Sequence, residues 1–175
     1  PRDQYEDFYM NVMETNPDIQ VNGVWRKRTD SNGIHGLESQ SQHHGTSSVE
    51  FIPTLPVQGK YMVEIMWLET STADSRIRSN KVPVTIEHAD GSYSATISQE
   101  GQDNHGQWST VGTFTMMKGR TQARVTIGTS AVLSSKVVGI SQARFVLKSI
   151  AIDSTAYDGY TKHTLSSGKI CKSNE

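Results

Sequence analysis

From Val21 onward, apolar and polar positions alternate with a period of two, broken by Gly, Pro, Asn or Asp roughly every 8–12 residues. Val21–Thr29 reads as a first strand, with Trp25 flanked by Arg26, Lys27 and Arg28. Residues 33–45 form a polar, glycine-bounded loop or ragged edge strand, and Ser47–Ile52 is a short strand closed by Pro53 and the turn 55–59. Lys60–Glu69 is the strongest strand. Tyr61, Val63, Ile65 and Trp67 alternate with Met62, Glu64, Met66 and Leu68, so both faces are largely apolar and the strand is predicted to be central. Val82–His88 and Ser92–Gln99 flank Ala89-Asp90-Gly91, a clear hairpin signal, with Pro83 placing the strand start at an edge or a bulge. Gln107–Met117, Ala123–Gly128 and Gln142–Ile152 complete about eight short strands, which predict an all-β antiparallel sandwich or barrel.

The first stretch follows a different period. Tyr5, Phe8, Tyr9, Val12 and Met13 recur at i, i+3, i+4, i+7 and i+8, the apolar stripe of one helix face. Asp3 followed by Glu6 fits a helix-capping pattern, and Asn16-Pro17 stops the run. Residues 1–18 are therefore predicted as a short helix and linker. About three helical turns are marginal alone, so this helix must pack on the sandwich, on a partner or on a second copy in a homo-oligomer. Residues 19–152 make the sandwich domain, and 153–175 a polar extension, extended or partly disordered.

Composition narrows the function classes. The 175 residues carry 17 basic and 18 acidic side chains for a net charge of -1. That balance supplies no global field for nucleic acid or an anionic membrane. No apolar run approaches the ~18–20 residues that cross a bilayer. No signal peptide is visible, and the opening Pro1-Arg2-Asp3, without Met, is what a processed product or an excised piece would show. Cys171 is the single cysteine, which rules out an intrachain disulfide and any cysteine-based metal site.

Three stretches and a dipeptide form an ordered set. They are Gly59-Lys60-Tyr61-Met62-Val63 leading to Trp67, Ser79-Asn80 running through His88-Ala89-Asp90-Gly91, Gly106-Gln107-Trp108 running to Gly112-Thr113-Phe114, and Arg144-Phe145 in the last strand. Together they resemble the golvesin C-terminal-like domain, which is also found appended to xanthan lyases and other secreted bacterial proteins. The resemblance covers roughly residues 20–150. It implies a jelly-roll β-sandwich of galactose-binding-like type, an accessory role in a secreted or surface protein, and carbohydrate or cell-surface binding. The Gly-Gln-Trp and Ser-Asn elements carry over as fold markers. Ser141 stands where the family often has an acidic residue before the final Arg-Phe, so no contact through that carboxylate is expected here.

Catalysis needs a nucleophile with its base, or paired carboxylates in a cleft, and no serine lies in a Gly-x-Ser-x-Gly elbow. His35, His43 and His44 share one polar loop without a carboxylate at a ligand-like spacing, so they read first as a solvated loop and second as a ligand or metal site. His88 braces the Asp-Gly turn. Asp103 and Asn104 offer oxygen ligands for a structural calcium, but lack the repeated acidic spacing of a dedicated loop. No other cofactor is expected. Sugar recognition stacks an aromatic ring on the apolar sugar face beside polar side chains. The candidate set is Trp25 with Arg26 and Arg28, joined by His43 and His44; the alternative turns Trp25 into the core and leaves the basic residues alternating outward. Trp67, Trp108, Phe114 and Phe145 are assigned to the core, and Trp108→Ala should then cost on the order of 3–5 kcal/mol.

Two functions fit these features. The first is a non-catalytic module binding a glycan or surface polymer. The second is a structural domain that packs against neighbouring subunits through its terminal extensions.

Overall fold

The computed structural model describes residues 7–39, 45–69, 77–100, 106–120, 122–133 and 135–151. Among them every regular element is a strand. In chain order these are β1 (Phe8–Asn11), β2 (Ile19–Asn22), β3 (Trp25–Thr29), β4 (His35–Ser39), β5 (Ser48–Phe51), β6 (Gly59–Met66) and β7 (Ile77–Arg78). They are followed by β8 (Val82–His88), β9 (Gly91–Ile97), β10 (Ser109–Met116), β11 (Arg124–Gly128), β12 (Lys136–Val137), β13 (Gly139–Ile140) and β14 (Gln142–Ile150).

One sheet has the order β1-β14-β6-β10 and the other β2-β5-β11-β8-β9. A smaller sheet, β13-β4-β3, and the short parallel pair β12-β7 complete the ladder pattern. Side chains that alternate along the strands meet between the two large sheets. Tyr61, Val63, Ile65, Phe145 and Met10 from one side face Phe51, Val84, Ile86, Val125 and Ile127 from the other, and all are buried. Burying this apolar surface, at roughly 25 cal/mol per Å², is what holds the layers together. β6 is internal, as its double-sided apolar pattern predicts, and Trp67 and Phe145 lie in the core.

Over the described residues from 7 onward the N-terminal helix is corrected, while Asp3, Tyr5 and Glu6 lie outside them. Phe8–Asn11 is a strand paired antiparallel with β14, Phe8 opposite Phe145 and Met10 opposite Ala143. The period-two reading of the same residues puts Phe8 and Met10 inward and Tyr9 outward, and the unpaired edge of β14 rewards it with a backbone ladder that an isolated helix cannot match. Homo-oligomer formation through that helix loses its basis. Val21–Thr29 is two strands, because Gly23 at φ 78° turns the chain from β2 in one sheet to β3 in another. The Gly33–Gly45 segment contains β4, which pairs with β3 from Trp25↔Ser39 to Thr29↔His35. Pro83 stands at a local edge at the start of β8, paired on the β9 side only. β8 is internal, but its ladder to β11 stops at Val84, so the missing N–H is not needed on that side. The C-terminal extension, residues 153–175, lies outside the described residues.

Candidate functional site

The register of the four-stranded sheet lines up one side chain from each strand on its outer face. Tyr9 of β1 is opposite Arg144 of β14, Arg144 opposite Glu64 of β6, and Glu64 opposite Thr110 of β10. Strands lie about 4.8 Å apart, so this row spans roughly 14 Å. Its members alternate with the buried Met10, Phe145 and Val63, and the same packing that seals the core fixes where the row points.

Hydrogen bonds and ring contacts link the row from end to end. Arg144 Nε donates to Glu64 Oε2 at 2.8 Å, and Thr110 Oγ1 donates to Glu64 Oε1 at 3.1 Å. The Arg144 guanidinium carbon lies 4.4 Å from the Trp108 ring centroid and 5.8 Å from that of Tyr9. The two rings meet edge to face at 5.8 Å and 61°. Burial works against the charge on Arg144, but hydrogen bonds to the Tyr9 and Glu64 side chains outweigh it and hold the pKa above its usual value. Arg144 is thus a permanently charged, oriented fork between two rings. Tyr9 is 53% exposed and leaves an open aromatic surface beside it.

Trp108 is therefore not a core residue. It is half-buried on this outer face, flanked in sequence by the polar Gln107 and Ser109. Phe114 is half-buried as well, packed against the edge of the core beside His88 and Tyr93.

The basic cluster of β3 has a different task. Glu38, 1% exposed, accepts hydrogen bonds from Arg26 and Arg28, and Arg78 Nη1 lies 3.1 Å from Glu38 Oε2. Arg26 and Arg28 thus turn toward a buried carboxylate. Trp25 is half-buried against the core, with Nε1 donating to Asn22 O at 2.9 Å. The candidate trio is brought to one strand but splits between the core edge and an ion cluster. His43, His44, Asp103 and Asn104 lie outside the described residues. His35 bonds Thr29 at 2.7 Å, and His88 accepts from Asp90 N at 3.3 Å as a turn brace. Ser141 is buried, its hydroxyl donating to His35 O at 2.7 Å.

On the opposite face, a groove of about 270 Å³ is lined by Ser48, Thr85, Thr126 and Thr129, with no aromatic ring among the described residues. It offers hydroxyls but no stacking surface. Among the described residues no group of three or more His, Cys, Asp or Glu could hold a metal ion, and no helix is long and apolar enough to cross a membrane. Glu38 and Arg144 are held charged, and Arg78, lowered to about 10 mainly by burial, stays charged at neutral pH. None of the three is poised for proton transfer near neutrality.

The sequence missed Tyr9 because it was absorbed into a helical stripe, and Arg144 entered only with Phe145 as part of the family resemblance. The in-out-in alternation of Phe8, Tyr9 and Met10 was the available signal.

Antiparallel sheets packed in this way define a β-sandwich of jelly-roll, galactose-binding-like type. Residues 10–140 match the Golvesin C-terminal domain, and the chain belongs to that family. It is 30% identical over 125 residues to a xanthan lyase from Bacillus sp. (strain GL1), a match covering 68% of this chain and 13% of that protein. The solved Paenibacillus xanthan lyase is similar at a TM-score of 0.70 and 26% identity, over 82% of this chain and 13% of its own. An exo-β-1,3-galactanase from Phanerochaete chrysosporium shares the fold at a TM-score of 0.51 and 14% identity, over 81% of this chain and 29% of its own. The chain thus spans about an eighth of the length of the xanthan lyases it resembles.

Proposed function

We propose that this chain is a non-catalytic, carbohydrate-binding accessory module that works outside the cell, and that it meets polysaccharide on the outer face of the four-stranded sheet. One observation carries the reading. The exposed Tyr9 ring lies beside Arg144, whose guanidinium is oriented by Trp108 and Glu64. A sugar presents an apolar face to such a ring and hydroxyls to the fork and to Thr110, while the preformed ion pair keeps the ordering cost of binding low. The family membership and the similarity to a small part of xanthan lyases support a polysaccharide as ligand.

Affinity electrophoresis tests this with xanthan and a panel of neutral polysaccharides cast in native gels. The chain should be retarded by at least one of them, and Tyr9→Ala should lose about 1–2 kcal/mol of that binding, roughly a 5–30-fold weaker Kd. Free migration in every gel overturns the reading, as does equal retardation of Tyr9→Ala.

A further inference from the structure

A second aromatic station lies on the flank of the same sheet. β10 is the edge strand of the four-stranded sheet, and β9 is the edge of the five-stranded one. The two edges come together where Ala89 N donates to Thr115 O at 2.9 Å. There the Phe114 ring of β10 is 5.2 Å from Tyr93 of β9 and 5.1 Å from His88. Tyr93 is 42% exposed, although its register partner Ile86 is fully buried. The hairpin tip also holds the well-exposed Asp90 carboxylate close to His88.

Trp108 and Phe114 sit six positions apart on one chain segment, so the two stations are about 20 Å apart along an extended strand. Between them runs the flank-facing backbone of β10. Among the described residues its one hydrogen bond across the flank is the one accepted by Thr115. The register shift between Thr110 and Gly112 twists the strand at this point. Gly112 is needed here, because a Cβ on it would come within 2.7 Å of the Phe114 ring. An open strand edge is usually covered or charged, because its unpaired groups invite aggregation. Here it joins two exposed aromatic surfaces, and among the described residues no other backbone hydrogen bond crosses the flank between them.

From this we propose, resting on the glycan-binding reading above, that the ligand is an internal stretch of a long polysaccharide chain. It runs from the Tyr9–Arg144–Trp108 face along the edge of β10 to Tyr93. Sugar rings stack at the two ends, and hydroxyls bond the strand backbone between them. The module then recognises polymer length rather than a chain end.

The test titrates the full chain, Tyr9→Ala and Tyr93→Ala with xanthan and the neutral polysaccharides of the same panel, each intact and as size-fractionated oligosaccharides. Tyr93 stands on an edge, and Tyr93→Phe with a melting curve on each variant serves as the folding control. Affinity should rise with fragment length until both stations are spanned. Tyr9→Ala should weaken short and long ligands alike. Tyr93→Ala should weaken only the long ones, by about 3–10-fold, with Tyr93→Phe near wild type. Short fragments binding as tightly as polymer, or Tyr93→Ala binding polymer normally or losing short and long ligands equally, overturns the proposal and leaves the glycan reading standing. Absence of binding to polymer and fragments alike overturns both.

Discussion

Replacing Glu38 by Gln should be among the most damaging single changes in this domain, although it alters one atom. The carboxylate is 1% exposed and sits among three guanidiniums, with Arg26 and Arg28 bonded to it and Arg78 Nη1 at 3.1 Å. Arg78 is 2% exposed, and its only other bond given by the described residues is from Nη2 to Glu69 O at 2.9 Å. The amide cannot neutralise it, so the substitution leaves buried positive charges facing one another. Removing one partner of a buried pair costs about 3–5 kcal/mol, because the other charge stays desolvated. For a chain of this size each kcal/mol shifts Tm by about 2–4 °C, so the melting point should fall by roughly 6–20 °C. Thermal and urea unfolding followed by circular dichroism measure this. Glu38→Gln combined with Arg78→Met should recover part of the loss, since an apolar side chain then fills the site. Acid provides a second readout. Burial alone would raise the Glu38 pKa, but Arg78, Arg26 and Arg28 outweigh it and hold it below its ordinary 4.5. A folded-state value below the unfolded one contributes stability above pH 4.5 that is lost as pH falls through the lower value. That component should vanish in Glu38→Gln. A variant within about 0.5 kcal/mol of wild type would falsify the view that this cluster depends on its carboxylate.

The other stability predictions separate core from surface. Trp67→Ala should cost about 3–5 kcal/mol, whereas Trp108→Ala should cost only about 1–2 kcal/mol, mostly partial burial and its contact with Arg144; paired urea titrations check the ranking. Gly139→Ala should destabilise by about 1–3 kcal/mol, because its Cβ would come within 2.8 Å of the Arg78 guanidinium; a melting curve beside that of Glu38→Gln reads it. Gln99→Ala should lose about 1–3 kcal/mol, since the buried amide donates to Gly139 O at 2.7 Å and accepts from Gly139 N at 2.9 Å; hydrogen exchange at Gly139 should speed up in parallel.

The strands were legible where alternation and turn chemistry agreed. The Asp-Gly hairpin and the doubly apolar β6 lie close to where the pattern puts them, within three residues at each end. The first strand was not. Phe8, Val12 and Met13 satisfy a helical stripe, and only the open edge of β14, a partner more than a hundred residues away, decides for the ladder. Long-range pairing of this kind leaves no local trace. The same limit explains the binding face. Trp25 beside three basic residues looked like a sugar platform, but Glu38 on the neighbouring strand captures Arg26 and Arg28 from the buried side. Tyr9, Arg144, Glu64 and Thr110 come from four separate strands, so their alignment exists only after the sheet has formed.

The most direct test of the central claim is the migration of wild type, Tyr9→Ala and Arg144→Ala through native gels containing xanthan or each of the neutral polysaccharides, read in the gel that retards wild type most. The account has wild type retarded and both variants running close to their mobility in a gel without polymer, with circular dichroism showing all three folded. Folded variants retarded as strongly as wild type would contradict it.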